Sequence, residues 1–258
     1  MANKKNLLIC LFLIIINKNS YADGLGDLKN ALNILNGTTP ISAEFESSYT
    51  ASSGKKKNQK TTTGFAKVRL TDSTIGLQIL YSNQTLLNSE DEANNKELDE
   101  EINTPTLNVI DDIEATEMRS MLSASADLIR SLNKATLISE ATIKYQGENA
   151  RKLIFKLPLE AIISSQDVRD YVDDFTSEYS IIIDKNGTPL QSQLTFEGNG
   201  TAFIIFSLEA SQSSKSTYRV FGKRLVKIKQ EFSRKQKSTW GVNNRSGLMT
   251  LRVSTNKA

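Results

Sequence analysis

Few side chains in this sequence have a type and spacing that could do chemistry. The candidates are two pairs of adjacent carboxylates, Asp111 with Asp112 and Asp173 with Asp174, and one Ser-x-x-Lys spacing, Ser131 with Lys134. Glycosidase carboxylates are assembled across a fold, and adjacent residues on a helix point in different directions. The Ser-x-x-Lys spacing ends an amphipathic stretch and lacks the companion motifs of serine acyl-transfer enzymes. Neither arrangement makes an active site. Histidine is absent, and the one cysteine is Cys10. The usual zinc ligands, the commonest general base, Ser-His-Asp triads and disulfides are thereby excluded. Carboxylate chemistry, Ser-Lys chemistry or an oxygen-ligated calcium or magnesium ion would survive. No Asp-x-Asp-x-Asp-Gly spacing supports the last. The expectation is a protein without catalytic residues, metal or cofactor.

The first residues carry Lys4 and Lys5, then an unbroken apolar run over 7–16, then polar residues over 17–21. This is the order of a secretory signal peptide, and the small Ser20 and Ala22 predict cleavage between Ala22 and Asp23. The apolar run is far shorter than the roughly 20 residues of a transmembrane span. Cys10 lies near its start, where no lipid would be attached, so neither anchor nor lipidation is expected. Cleavage would remove Lys4, Lys5, Lys18 and Cys10, leaving 29 basic against 29 acidic residues and no cysteine. A cysteine-free chain suits an oxidising compartment. The predicted organisation is a signal peptide over 1–22 and a single β-rich domain over 23–258, periplasmic or secreted.

The elements that would position any site follow from periodicity. Leu28, Ala31, Leu32 and Leu35 have helical spacing, with Gly37 as a stop. Alternation then predicts a three-strand meander through Ile41–Phe45, Ala66–Leu70 and Ile75–Tyr81, its basic segment over 52–60 being an exposed hairpin loop. Residues 88–105 read as an acidic loop or insertion: between Glu90 and Glu117 there are eleven acids and only Lys96. A central helix carries Met118, Met121, Leu122, Leu128, Ile129 and Leu132 on one face, with Asp111 and Glu114 at capping-box spacing. The Met-containing stripe reads as core or as an adaptable ligand-cavity lining, whose candidates are Met118, Met121, Leu122, Leu128 and Ile129. A hairpin turns at Gln146-Gly147. Ser164 with Asp167 opens a third helix whose Val168, Tyr171, Val172 and Phe175 share a face. A closing meander follows, with Asn186-Gly187 and Asn199-Gly200 as hairpin turns. These elements predict an α+β domain, a large curved antiparallel sheet with about three helices packed on one face.

From Lys215 onward there are twelve Lys or Arg residues and one acid, Glu231. Lys223, Lys227 and Lys229 are the basic surface candidates. Lys227 and Lys229 alternate with Val226 and Ile228 as an outward strand face would. Anionic lipid or an acidic envelope protein could meet this region, and the same pattern fits a plain solvated face. Nucleic acid is not expected as a partner of an exported chain.

The stretches LKNALNILNGTTPISAEFESSY (28–49), GFAKVRL (64–70) and SIIIDKNGTPLQSQLTFEG (180–198) stand in an order that resembles the periplasmic outer-membrane lipoprotein carrier superfamily. The resemblance implies an incomplete β-barrel with helices as a lid, enclosing an apolar cavity for acyl chains or docking a protein partner. The acidic segment over 88–105 departs from that pattern. The arginine that such carriers use in lid closure has no match here, so no functional residue is carried over. Relatives with this fold also serve as stress-signalling sensors, so fold alone does not establish transport. Two functions follow as expectations: an exported binding protein holding a lipid, acyl chain or lipoprotein in the hollow of the sheet, or an envelope interaction protein docking an acidic partner through its basic C-terminal strands.

Overall fold

The computed structural model describes residues 23–55, 58–163, 165–202, 206–239 and 241–254. The predicted signal peptide and its cleavage position at Ala22 lie outside the described residues, which begin at Asp23. The chain opens with α1 (Gly24–Ile34), capped by Asp23, whose carboxylate accepts from the Gly26 N–H at 3.0 Å. Three strands follow, β1 (Ile41–Gly54), β2 (Lys60–Ser73) and β3 (Gly76–Tyr81). Four helices come next: α2 (Asn83–Leu98), α3 (Pro105–Ile110), α4 (Ala115–Leu122) and α5 (Ser125–Lys134). The hairpin β4 (Thr136–Tyr145) and β5 (Glu148–Lys156) leads to two single turns, α6 (Leu159–Ile162) and α7 (Gln166–Arg169). A long meander closes the chain: β6 (Val172–Ile183), β7 (Pro189–Ala202), β8 (Phe206–Phe221), β9 (Arg224–Ser238) and β10 (Gly241–Ser254).

All ten strands form one open antiparallel sheet in the order β3-β2-β1-β10-β9-β8-β7-β6-β5-β4. The α+β expectation is met in outline. Pairing of β10 with β1 joins the two ends of the chain in the middle of the sheet and leaves β3 and β4 as its edges.

One cross-strand row fixes which face is covered. It runs Ser47, Met249, Gln230, Ser216, Ser192, Ile181, Leu153 through successive register partners. Residues two apart on a strand share a face. Phe45, Leu251, Tyr218, Tyr179 and Phe155 are buried on this side, in two clusters. The first takes Leu28 and Leu32 from α1 and Leu128 and Leu132 from α5; the second takes Met118, Met121 and Leu122 from α4. A buried ion pair, Arg224 with Asp72 at 2.7 Å, ties the start of β9 to β2.

Five expectations are corrected. Residues 88–105 are not a loop: α2 covers most of them, started by Ser82, whose hydroxyl accepts from the Thr85 N–H at 3.1 Å. Its one buried residue is Thr85, so a search for apolar periodicity has nothing to find. The Glu92 carboxylate accepts from the N–H groups of Thr106 (2.8 Å) and Leu107 (3.0 Å), so an acid of the supposed loop caps α3 instead. The central helix is two helices, broken where the Ala124 N–H donates to the Leu225 carbonyl of β9 at 2.8 Å. Asp111 ends α3 and Glu114 precedes α4, so they form no capping box.

The third predicted helix reduces to α7, and Val172 and Phe175 belong to β6. The 3.6-residue spacing there was coincidental, and pairing with β7 prevails. Ser165 is the cap, accepting from the Val168 N–H at 3.4 Å; Ser164 lies outside the described residues. Of the two Asn-Gly turns, Asn186-Gly187 is one: Gly187 has φ +85°, and the Asp184 carboxylate accepts from Asn186 and Thr188 N–H groups. Asn199-Gly200 lies inside β7, where a Cβ on Gly200 would stand 1.8 Å from the Tyr171 carbonyl oxygen. The glycine serves a close backbone approach there.

Candidate functional site

Four residues further along each strand from the Ser47–Leu153 row lies a second row on the same face: Ala51, Arg245, Arg234, Gln212, Phe196, Ser177. It lies roughly 13 Å away at the usual rise per residue. Its composition is different. Where the first row has Met249, Gln230 and Ser216 this one has Arg245, Arg234 and Gln212, and the next row holds Gly198, Ala210, Gln236 and Asn243. This end of the inner face opens into two hollows that share Gln212 and Arg234.

The first is an apolar cleft of about 280 Å³ between the α6–α7 segment and strands β7 and β8. Ile162, Val168 and Tyr171 form its roof, and Phe196, Leu208 and Ala210 its floor. Val168, Tyr171 and Leu208 are 45%, 43% and 38% exposed, so the apolar lining meets solvent. Phe196 is buried and held by Phe175, with ring centroids 6.2 Å apart.

The second hollow, about 560 Å³, lies where the α3–α4 segment faces β8, β9 and β10. Asp111, Asp112, Glu114 and Glu117 line its helix wall, and Arg234, Arg245, Gln212 and Gln230 its sheet floor. Arg245 pairs with Asp112 and lies over the Tyr49 ring, its guanidinium carbon 3.9 Å from the centroid. Burial raises the Tyr49 phenol, with Arg245 opposing the shift, and the hydroxyl donates to the Asn108 carbonyl at 3.2 Å. Arg234 stands directly opposite Arg245 in the β9–β10 register. Among the described residues it has no carboxylate partner, and its guanidinium donates to the Gln212 side-chain oxygen at 3.3 Å.

At the rim, burial raises the Glu117 carboxyl and lowers the Lys227 ammonium, each opposed by the attraction between them. Asp127 adds to that attraction at Lys227, whose ammonium donates to Gln230 at 2.9 Å. Lys227 thus faces the helices, not solvent. The register slips by one residue between the Thr217–Lys229 and Tyr218–Lys227 pairs, which breaks the alternation read from sequence. Lys229 is paired with Glu231 at 3.0 Å, and Lys223 is exposed in the β8–β9 turn. The three basic candidates therefore form no common patch.

The cavity candidates Met118, Met121, Leu122 and Leu128 are between 0% and 4% exposed and belong to the packed clusters, with Ile129 partly buried against them. They line neither hollow. Of the carboxylate pairs, Asp111 and Asp112 reach the second hollow, while Asp173 accepts from the Thr201 hydroxyl at 2.9 Å in an exposed position. Ser131 and Lys134 line an open surface depression with Arg130 and Asn133. Among the described residues no group of acids is placed to hold a metal ion, and no helix is long and apolar enough to cross a membrane.

Arg234, Arg245, Phe196 and the α6–α7 roof escaped the sequence reading. The pairing of Arg234 with Arg245 follows from the β9–β10 register, which also sets Ser238 against Gly241, and no turn motif in the sequence marks that register. No family model, curated protein or solved structure matches this chain.

Proposed function

We propose that this chain is an exported, non-enzymatic binding protein that holds a lipid or acyl chain in the hollow of its sheet, an incomplete barrel with helices as a lid. One observation carries the reading. Beyond the packed clusters, at the far end of β7–β10, the inner face borders an apolar cleft with exposed Val168, Tyr171 and Leu208. Ligand pockets combine such apolar walls with a few placed polar groups. At about 280 Å³ the cleft stands at the small end of their usual range, which suits one chain and argues against a triacylated lipoprotein. Docking of an acidic partner on the basic strands has weaker support, because Lys229 and Lys237 already pair with Glu231 and Glu209.

Native mass spectrometry of the protein purified from a periplasmic extract tests the reading. A mass increment of lipid size that disappears on denaturation is the expected result. A bare mass from such an extract, together with no uptake of added fatty acid, would sink it.

A further inference from the structure

The Arg234–Arg245 pair sets two like charges opposite each other on neighbouring strands, across the second hollow from the carboxylates of Asp111, Asp112, Glu114 and Glu117. Like charges directly opposite on neighbouring strands repel and weaken the sheet. Asp112 and the Tyr49 ring compensate Arg245 alone, and the Nε of Arg245 is buried without a hydrogen-bond partner. Among the described residues Arg234 has only a neutral glutamine. Yet both guanidinium groups face one hollow, and Arg234 also lines the apolar cleft. In the row Phe196, Gln212, Arg234, Arg245 the character passes from aromatic to doubly cationic across four strands. At the usual strand spacing that distance is about 14 Å.

We infer that the ligand is a single-chain anionic amphiphile, its carboxylate or phosphate head held between Arg234 and Arg245 and its chain lying over Phe196 and Leu208 beneath Val168. This inference rests on the binding reading above and deepens it. Two guanidinium forks match a carboxylate or phosphate, and the repulsion between them falls when an anion sits between; the helix-wall carboxylates Asp111, Glu114 and Glu117 oppose it, as Asp112 does, so the head sits toward Arg234, where the two hollows meet. The cleft selects the tail, since Val168 and Tyr171 above and Leu208 below expose apolar surface to it. Asp112 competes with the head for Arg245, so the site releases its ligand more readily than a bare arginine pair would.

Calorimetric titration of the purified protein with decanoate, decanol and inorganic phosphate, each separately, tests the assignment. Decanoate is expected to bind at least about tenfold more tightly than decanol or phosphate, the worth of one charge-assisted hydrogen bond. Arg234→Gln should erase that preference and Arg234→Lys retain part of it, with a melting curve confirming that each variant folds. Equal binding of decanoate and decanol, both weakened by Leu208→Asp, would overturn the anionic head and leave the acyl-binding reading standing. Phosphate binding as tight as decanoate would replace the amphiphile with a free anion. Binding of neither decanoate nor decanol would overturn both readings. The ratio for the unaltered protein decides even if no variant folds.

Discussion

Two Arg–Asp pairs sit on the same face of the same sheet and differ in nearly everything else. Arg224 and Asp72 lie under the helices, with side chains 5% and 10% exposed, and they tie β9 to β2. Arg245 and Asp112 lie at the open end, 41% and 46% exposed, and line a hollow. The strands are common to both ends, so backbone and pairing cannot account for the difference. What changes is the inward side chain. On β10 it passes from Leu251 and Met249 through Gly247 to Arg245 and Asn243, and on β7 from Leu194 and Phe196 to Gly198 and Gly200. One half of the face is used up in holding the helices. The other lines the two hollows.

Removing one acid from each pair gives the largest expected contrast. Asp72→Ala strands a buried guanidinium that already has Nε and Nη1 unpartnered, and should cost about 3–5 kcal/mol. Asp112→Ala exposes Arg245 to water and should cost about 1 kcal/mol or less. Urea unfolding midpoints measure both, and equal losses would break the division of the face into halves. A second pair sharpens it: Leu153→Ala, at a wholly buried position, should cost about 2–5 kcal/mol, whereas Gln212→Ala should stay within about 0.5 kcal/mol.

Alkaline pH acts most strongly on the covered half. Burial pushes the Tyr218 phenol up to about 12, and burial raises Tyr179 well above its ordinary value; the Ser192 hydroxyl lies 2.7 Å from that of Tyr218. The folded state therefore keeps protons that the unfolded chain gives up, and stability is fully present below pH 10. It declines as pH rises from about 10 through about 12, and Tyr218 alone accounts for about 3 kcal/mol across that window. Tyr218→Phe should reduce the slope of unfolding free energy against pH by one proton's worth, measured by denaturant titration at several alkaline pH values. An unchanged slope would show that the phenol is open to solvent.

The covered half was the legible one. Alternation in Ile41–Phe45 and Ala66–Leu70, and helical spacing in Leu28–Leu35 and Met118–Leu132, mark the residues that pack, because burial imposes a period. Where burial does not decide, the pattern fades. The α2 helix is held by the Ser82 cap and by Glu92 contacts, neither of which repeats along the chain. Asn199-Gly200 reads as a turn unless the approach of the Tyr171 carbonyl is known. The two hollows draw on residues far apart in the chain, Ile162 and Phe196 in the first and Asp111 and Arg245 in the second, and the register of the closing meander sets only their sheet floors. Alternation also misassigned Lys227, because the slip in register opposite β8 is invisible in composition.

The smallest expected effect bears most directly on what the open half is for. If the two opposed arginines are there for a ligand, the empty protein carries their repulsion as a small loss of stability. Arg234→Gln should then raise unfolding stability by about 0.2–1 kcal/mol, since the glutamine can keep a hydrogen bond to Gln212 while the like charge is gone. Added salt should narrow the gap between the two proteins, because screening weakens the repulsion in the original and leaves nothing to screen in the variant. A fall in stability would mean that Arg234 supports the sheet through its aliphatic stem and its Gln212 contact. A rise in stability together with loss of ligand affinity is the signature of a residue kept for binding, and the covered half should yield no such substitution among its charged residues, where Arg224 and Asp72 each need the other.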